Sequence, residues 1–121
     1  MALHNELGKK GENFAIEFLK NDGYEIVDVN WRTAHLEIDI IARLDGILCF
    51  IEVKSRSSLK YGEPEAALTT QKQKNLLKAA NQYIQEFEID EDIRFDLITF
   101  VSKSNKSFLE HYKEVFVPFQ F

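Results

Sequence analysis

Charged side chains interrupt an otherwise apolar stretch of the chain, LEIDIIARLDGILCFIEVK at residues 36–54. Asp45-Gly46 in its middle predicts a two-residue hairpin turn, because both central positions of such a turn need positive φ. The flanking segments, 36–44 and 47–54, then form two antiparallel strands. Three acids and a lysine within them form the pattern of interest, namely Glu37, Asp39, Glu52 and Lys54.

The turn also sets the register of this hairpin. Counting outwards from it puts Asp39 directly opposite Glu52, and Glu37 opposite Lys54. Because side chains alternate between the faces of a strand, all four share one face. The opposite face is wholly apolar and consists of Ile38, Ile40, Ala42, Cys49, Ile51 and Val53.

Asp39 and Glu52 are the residues with the clearest chemical potential. Like charges directly opposite each other destabilise a strand pair, and burial would drive one carboxylate to take up a proton. A hard divalent cation, Mg²⁺ or Mn²⁺, removes the conflict, and the backbone carbonyl of Val53 could supply a further oxygen. The alternative is an ordinary amphipathic hairpin in which Glu37 and Lys54 form a cross-strand ion pair.

Composition sets the class of protein. The chain of 121 residues fits a single domain over 1–121 with a ragged start at about 1–5. Cys49 is the only cysteine, so an internal disulfide is excluded and a zinc site is disfavoured. The sequence has neither an apolar run near the roughly 20 residues of a membrane helix nor a secretory signal. We therefore expect a cytoplasmic protein with no membrane partner.

Charge is distributed unevenly along the chain. The net charge of −5 argues against a nucleic-acid binder that relies on bulk positive charge. Residues 54–78, however, hold 6 Lys or Arg against 2 Asp or Glu, a net of +4 between two acidic flanks. This segment could guide a phosphate backbone towards the hairpin, or it could be a solvated helix face.

The remaining sequence patterns predict an α/β fold of order α-β-β-β-α-β-β, in which helices flank a mixed β-sheet. Thr70-x-x-Gln73 is typical of a capping box that starts the second helix. The lysines of this helix, Lys72, Lys74 and Lys78, are predicted to lie largely on the side opposite its apolar face. The predicted elements are a helix over 5–21, strands over 24–31, 36–44 and 47–54, a helix over 70–87, and strands over 93–101 and within 107–121.

These segments resemble the YraN family of bacterial proteins over roughly residues 7–100. Asp39 followed by Glu52-Val53-Lys54 also looks like the D…(E/Q)xK signature of restriction-endonuclease-like nucleases. Within that superfamily the pattern is similar to archaeal Holliday-junction resolvases. The matching segments are GKKGENFAIEFLKNDGYEIVDVNWR, LEIDIIAR, FIEVKSRSS, YGEPEAAL and KQKNLLKAANQYI.

The resemblance implies a restriction-endonuclease-like fold and metal-dependent cleavage of DNA, including branched or structured DNA. Asp39 and Glu52 would be metal ligands, and Lys54 would orient the attacking water. Glu12 matches an acidic residue on the first helix of such resolvases, and Glu37 matches the family motif G-E-I-D. This chain departs from that motif by carrying Leu36 where glycine is usual. Candidate nucleic-acid contacts are Ser55, Arg56, Lys60, Lys72, Lys74 and Lys78.

Two other functions remain open. Leu36 and the net charge favour a nucleic-acid-binding module that keeps the fold without cutting. The tail EVFVPFQF favours an interaction subunit, since its phenylalanines would be costly to expose. A homodimer would suit either that subunit or a resolvase-like enzyme. Asp96 could lie near the site or cap a sheet edge, and His35 could approach the site or be solvated.

Overall fold

The computed structural model describes residues 2–57 and 68–118, and side chains from Glu6 onwards. The predicted α/β class and element order are both confirmed. Three predicted positions, Lys60, Phe119 and Phe121, lie outside the described residues. The elements are α1 (Ala2–Asn21), β1 (Glu25–Thr33), β2 (Leu36–Leu44), β3 (Ile47–Arg56), α2 (Thr70–Glu86), β4 (Asp92–Lys103) and β5 (Lys106–Phe116).

The five strands form one mixed sheet in the order β1-β2-β3-β4-β5. The pairs β1–β2, β2–β3 and β4–β5 are antiparallel, and the pair β3–β4 is parallel. A parallel pair needs a long crossover connection, and α2 provides it between β3 and β4. The carboxyl end of β3, with Glu52 and Lys54, therefore lies beside the carboxyl half of β4.

Each face of the sheet carries its own apolar cluster, one packed by α2 and the other by α1. On the α2 face the cluster includes Ile38, Ile41, Leu48, Phe50, Leu76, Ala80, Tyr83 and Phe95. On the α1 face it includes Ala15, Leu19, Ile40, Ala42, Cys49, Ile51 and Ile98. The prediction that Ile38 shares a face with Ile40 is wrong, because the strand alternation is interrupted at Asp39 between them.

Helix α1 packs on the sheet through only part of its apolar surface. Ala15 and Leu19 are fully buried, whereas Phe14 and Phe18 are 46% and 38% exposed. The ring of Phe14 tilts against Phe100 with ring centroids 5.0 Å apart. Ala15 and Leu19 thus make the close contact of α1 with the sheet, and its phenylalanines cover the margin.

The N-cap of helix α2 lies one residue earlier than the Thr70 of the predicted capping box. Its N-cap is Thr69, whose hydroxyl accepts a hydrogen bond from the Lys72 backbone N–H. The predicted partner Gln73 instead donates its side-chain amide to the Leu68 carbonyl. Lys72 therefore occupies the third helical position, where a capping box would place a carboxylate or amide side chain.

The hairpin turn and the apolar residues near it follow the prediction. Asp45 and Gly46 have φ of 51° and 77°, as a type I′ turn requires. Cys49 is buried, and burial raises the pKa of its thiol to about 11, which suits a core residue. In the described part of the chain, every helix is too short or too polar to cross a membrane.

Candidate active site

The candidate active site lies where β2 and β3 separate. Their ladder follows the predicted register from the turn as far as Ile40 opposite Ile51. Ile38 and Val53 would form the next hydrogen-bonded pair. Instead, the Val53 backbone N–H donates to Asp39 Oδ2 over 2.8 Å. The aspartate side chain thus replaces a main-chain acceptor and opens the sheet at this point.

The predicted ladder does not continue beyond this point. The β2–β3 register does not extend to Asp39 with Glu52 or to Glu37 with Lys54. Glu37 lies opposite Arg32 of β1 and accepts a hydrogen bond from its Nε over 3.2 Å. The alternative of a Glu37–Lys54 ion pair is therefore replaced by an exposed pair on β1 and β2. The physical cause is the opening of the sheet at Asp39.

The side chains of Asp39 and Glu52 nevertheless lie together in this opening, close enough for the charge of each to affect the other. Burial, and then the charge of Glu52, raises the pKa of Asp39 to about 8, despite the opposing hydrogen bond from Val53. Burial also raises the pKa of Glu52, although Lys72 and Lys54 oppose this. Two buried carboxyls this close cannot both ionise easily, so the pair retains a proton near neutral pH.

Two grooves reach this carboxyl pair, one from each face of the sheet. The α1 groove has a volume of about 240 Å³ and the α2 groove about 190 Å³. The α1 groove is lined by Leu7, Gly8, Glu12, Asp39, Glu52, Val53, Lys54 and Ser55. The α2 groove is lined by His35, Leu36, Glu37, Asp39, Glu52, Lys72, Asn75 and Leu76. The four charged residues predicted to share one face are thus divided between two grooves.

Close packing of α1 on β3 positions Glu12 in the α1 groove. A Cβ on Gly11 would lie 2.0 Å from Ser55 Oγ and 3.2 Å from Phe100 Cδ2, so only glycine allows this approach. On the next residue, Glu12 Oε1 accepts a hydrogen bond from Asn30 Nδ2 over 3.1 Å. Asn30 has a φ of 52°, which asparagine tolerates better than most residues. Glu12 therefore faces the sheet, where its charge contributes to raising the pKa of Asp39.

Lys72 is the residue whose placement differs most from the sequence prediction. It was expected with Lys74 and Lys78 on the polar side of α2, but it lines the α2 groove beside the carboxyl pair. Burial, and then the nearby charge of Lys72, lowers the pKa of Lys54. The helical spacing contains the signal, because Lys72 stands four residues before the buried Leu76.

The other predicted contacts are distributed around this centre. Ser55 lines the α1 groove, and Arg56 follows it at the end of β3. Lys74 and Lys78 are exposed on α2 and line neither groove. Three groove residues, His35, Leu36 and Asn75, lie around Lys72 on the α2 side. Of these, Asn75 was not expected from the sequence, because a polar helix residue has no distinctive spacing.

Asp96, left open by the sequence, belongs to a buried network that joins β4 to β5. It is fully buried and accepts two hydrogen bonds from Arg94, both at 2.9 Å. It also contacts His111 Nε2 at 2.7 Å and accepts the Glu114 backbone N–H at 3.0 Å. Asp96 lines neither groove at the carboxyl pair. Its partners give it a structural role at the sheet edge.

The fold and site define an α/β protein with a paired-carboxyl centre between two strands of a mixed sheet. Residues 11–100 of the chain match the uncharacterised protein family UPF0102. A UPF0102 protein of Bacteroides fragilis is 45% identical over 118 residues, covering 98% of each chain. A UPF0102 protein of Flavobacterium psychrophilum is 44% identical over 120 residues, covering 98% of this chain and all of the relative.

The chain therefore belongs to the UPF0102 family, which is the YraN family that its motifs resemble. A UPF0102 protein of Parabacteroides distasonis, 36% identical over 116 residues, covers 96% of each chain. The predicted family membership is confirmed. The names of these relatives refer to a family and to no activity.

Proposed function

We propose that this protein is a Mg²⁺- or Mn²⁺-dependent nuclease with a restriction-endonuclease-like domain, which hydrolyses phosphodiester bonds in DNA. The observation that carries the proposal is the proximity of the Asp39 and Glu52 carboxyls in an open gap of the sheet, with Lys54 beside them. Such a pair is electrostatically unfavourable unless a proton or a cation lies between its members. Perturbed acids of this kind in a cleft are typical of functional sites.

The donor set at this centre fits a magnesium-type ion. Among the described residues, no group of three Asp, Glu, His or Cys side chains is close enough to bind one ion. Mg²⁺ commonly binds one or two carboxylates and completes its shell with waters and substrate phosphates. The Val53 N–H points towards Asp39, and the carbonyl of the same strand residue points to the same side. Asp39, Glu52 and the Val53 carbonyl would hold the ion.

The residues of the chain then have separate tasks around the scissile phosphate. A bound divalent ion would supply Lewis acidity and lower the pKa of a coordinated water. Lys54 would position that water and stabilise the negative charge that develops on the phosphate. Glu12, held by Asn30, would accept a hydrogen bond from water in the α1 groove. Glu37 would contribute negative charge at the margin of the α2 groove.

Recognition of the nucleic acid would depend on local positive charge, since the protein carries a net charge of −5. Ser55 and Arg56 follow the centre directly on β3 and would contact the neighbouring phosphates. The exposed Lys74 and Lys78 would contact phosphates further along the backbone, as would Lys60. These contacts carry little sequence information, so we propose selection by the structure of the DNA.

The test is a cleavage assay on labelled duplex, single-stranded, flap and four-way-junction DNA, with matching RNA, in Mg²⁺, Mn²⁺ or EDTA. We expect metal-dependent cutting that falls by at least about 100-fold in Asp39→Asn and in Lys54→Ala. Asp39→Asn keeps an oxygen that can accept from the Val53 N–H, so the fold should persist. Glu17→Gln, on the exposed side of α1, controls for the loss of one carboxylate.

Cleavage retained in Asp39→Asn but removed by further purification would identify a contaminant and contradict the proposal.

The second candidate function is a nucleic-acid-binding module that does not cut. Leu36, which lines the α2 groove next to the carboxyl pair, is the observation that favours it. Salt-sensitive binding with no metal-dependent product would replace the nuclease by this module.

A further inference from the structure

We propose that Lys72 is a second phosphate-binding residue of this centre, which acts together with Lys54 on the same phosphate group. The inference rests on the proposed function and deepens it, because it assigns the α2 groove to the anionic part of the substrate. It separates Lys72 from the other lysines of α2, which line neither groove.

The first argument is the position of Lys72 at the start of α2. It follows the N-cap Thr69 by three residues, and α2 has no acidic residue in its first turn. The N-terminus of a helix carries partial positive charge, and a carboxylate is the favoured side chain there. A lysine placed at this end makes the local potential more positive, at a cost to the stability of the helix. Such a cost is common where a residue serves a binding site.

The second argument is the proximity of Lys72 and Lys54. They come from different elements, α2 and β3, but both flank the Asp39–Glu52 pair, Lys72 in the α2 groove and Lys54 in the α1 groove. They are near enough for the charge of Lys72 to lower the pKa of Lys54. Both are partly buried, and both face Glu52. Two like charges held together beside a groove need a shared anion to offset their repulsion.

The third argument is the charge that remains when the carboxyl pair binds a divalent ion. Both carboxylates are then ionised, and their formal charge is cancelled by the metal. Lys54 and Lys72 no longer have a carboxylate to neutralise them, so the centre carries the positive charge of two lysines. A phosphodiester held by Lys54 and Lys72 would supply negative charge that offsets part of theirs.

The first test compares Lys72→Gln with wild type in the cleavage assay. At saturating DNA we expect the rate to fall by about 100-fold, as for loss of a group that stabilises charge in the transition state. Lys20→Gln removes the same charge at the far end of α1, where Lys20 pairs with Glu17, and should cut at the wild-type rate. Circular dichroism of each variant checks that the fold is intact.

The second test requires no cleavage and uses inorganic phosphate as the probe. In Mg²⁺, phosphate should raise the melting temperature of wild type and Lys20→Gln by more than that of Lys72→Gln. Phosphate stabilises folded proteins in general, so the readout is the difference between variants at equal ionic strength. An equal rise in all three proteins would overturn the inference.

The two proposals can fail separately. If wild type cuts no substrate but phosphate still distinguishes it from Lys72→Gln, the nuclease proposal fails and the phosphate site stands. If wild type cuts and Lys72→Gln cuts equally well, with no difference in phosphate stabilisation, the nuclease proposal stands and the role of Lys72 is refuted.

Discussion

The Val53 backbone N–H donates to Asp39 Oδ2 over 2.8 Å at the point where the β2–β3 ladder ends. One side chain thereby takes the place of the Ile38 carbonyl and lies between two strands, not on a face of the sheet. Because the carboxyl fills the gap itself, both grooves reach it. The ionisation of Asp39 therefore affects both the stability of the fold and the charge of the candidate site.

Stability without metal should fall as the pH rises. Asp39 has a usual pKa of 3.8 and a folded pKa of about 8. Between these values the folded protein binds more protons than the unfolded chain, so the free energy of unfolding decreases with increasing pH. Asp39→Asn removes this penalty and should be more stable than wild type at pH 8 by at least about 1 kcal/mol. Urea unfolding in EDTA across this range measures both effects.

The matched control for this prediction is Glu17→Gln, which removes an exposed carboxylate elsewhere on the surface. Its stability should follow the pH dependence of wild type. If Asp39→Asn and wild type lose stability in parallel as the pH rises, the carboxyl pair is not the source of the effect.

Magnesium should stabilise the protein more at pH 8 than at pH 5.5. Protons compete with the ion for the Asp39 and Glu52 carboxyls, whose pKa values are both raised. We expect thermal unfolding to show a Mg²⁺-dependent rise in melting temperature that increases with pH and is absent in Asp39→Asn. A rise of equal size in the variant would place the binding of the ion elsewhere.

The two glycines of α1 near the site should respond oppositely to alanine. A Cβ on Gly8 meets no atom within 4 Å, so Gly8→Ala should stabilise the protein by about 0.5–1 kcal/mol through helix propensity. In Gly11→Ala the Ser55 hydroxyl must rotate away, and Phe100 Cδ2 remains 3.2 Å from the new methyl group. Overpacking of this kind costs about 1–3 kcal/mol.

Gly11→Ala should also reduce cleavage, because displacement of α1 moves Glu12 away from the carboxyl pair. Gly8→Ala, on the same helix, should not show the loss of fold stability expected for Gly11→Ala. Thermal unfolding of both variants tests the packing argument directly, and a stabilised Gly11→Ala would contradict it.

The buried and exposed arginine pairs should differ strongly in their effect on stability. Burial alone would raise the pKa of Asp96, but hydrogen bonds from His111 and Arg94 hold it below its usual value. Asp96→Asn leaves the Arg94 guanidinium largely buried without its counter-charge and should cost about 3–5 kcal/mol. The Asp96 contribution is present above the usual Asp pKa and is lost as the pH falls through the depressed folded value.

Glu91→Gln is the matched control on a more exposed pair. Arg43 donates to Glu91 over 2.6 and 2.9 Å, and the side chain of Arg43 is 33% exposed. Its loss should change the free energy of unfolding by about 1 kcal/mol or less. Equal effects of Asp96→Asn and Glu91→Gln in urea unfolding would show that burial does not govern these pairs.

The sequence alone determined the order of the elements and most of the hairpin. The periodicity of apolar residues and the residue types that favour a turn are local features of the sequence. The Asp45-Gly46 turn and the register near it therefore follow from neighbouring residues. The nearness of Asp39 and Glu52 could be predicted for the same reason. Local pattern also limited the prediction, since it extended a regular ladder through the point where Asp39 interrupts it.

Tertiary structure alone decided which residues from distant segments reach the carboxyl pair. Gly11 brings Glu12 to β3 by close packing, and the crossover of α2 brings Lys72 beside Lys54. Both contacts join segments far apart in the chain, and helical spacing shows which face a residue shares but not what that face meets. The sequence determined the acidic pair itself, whereas packing of the two helices decided the charges around it, because electrostatic interactions depend on distance in space.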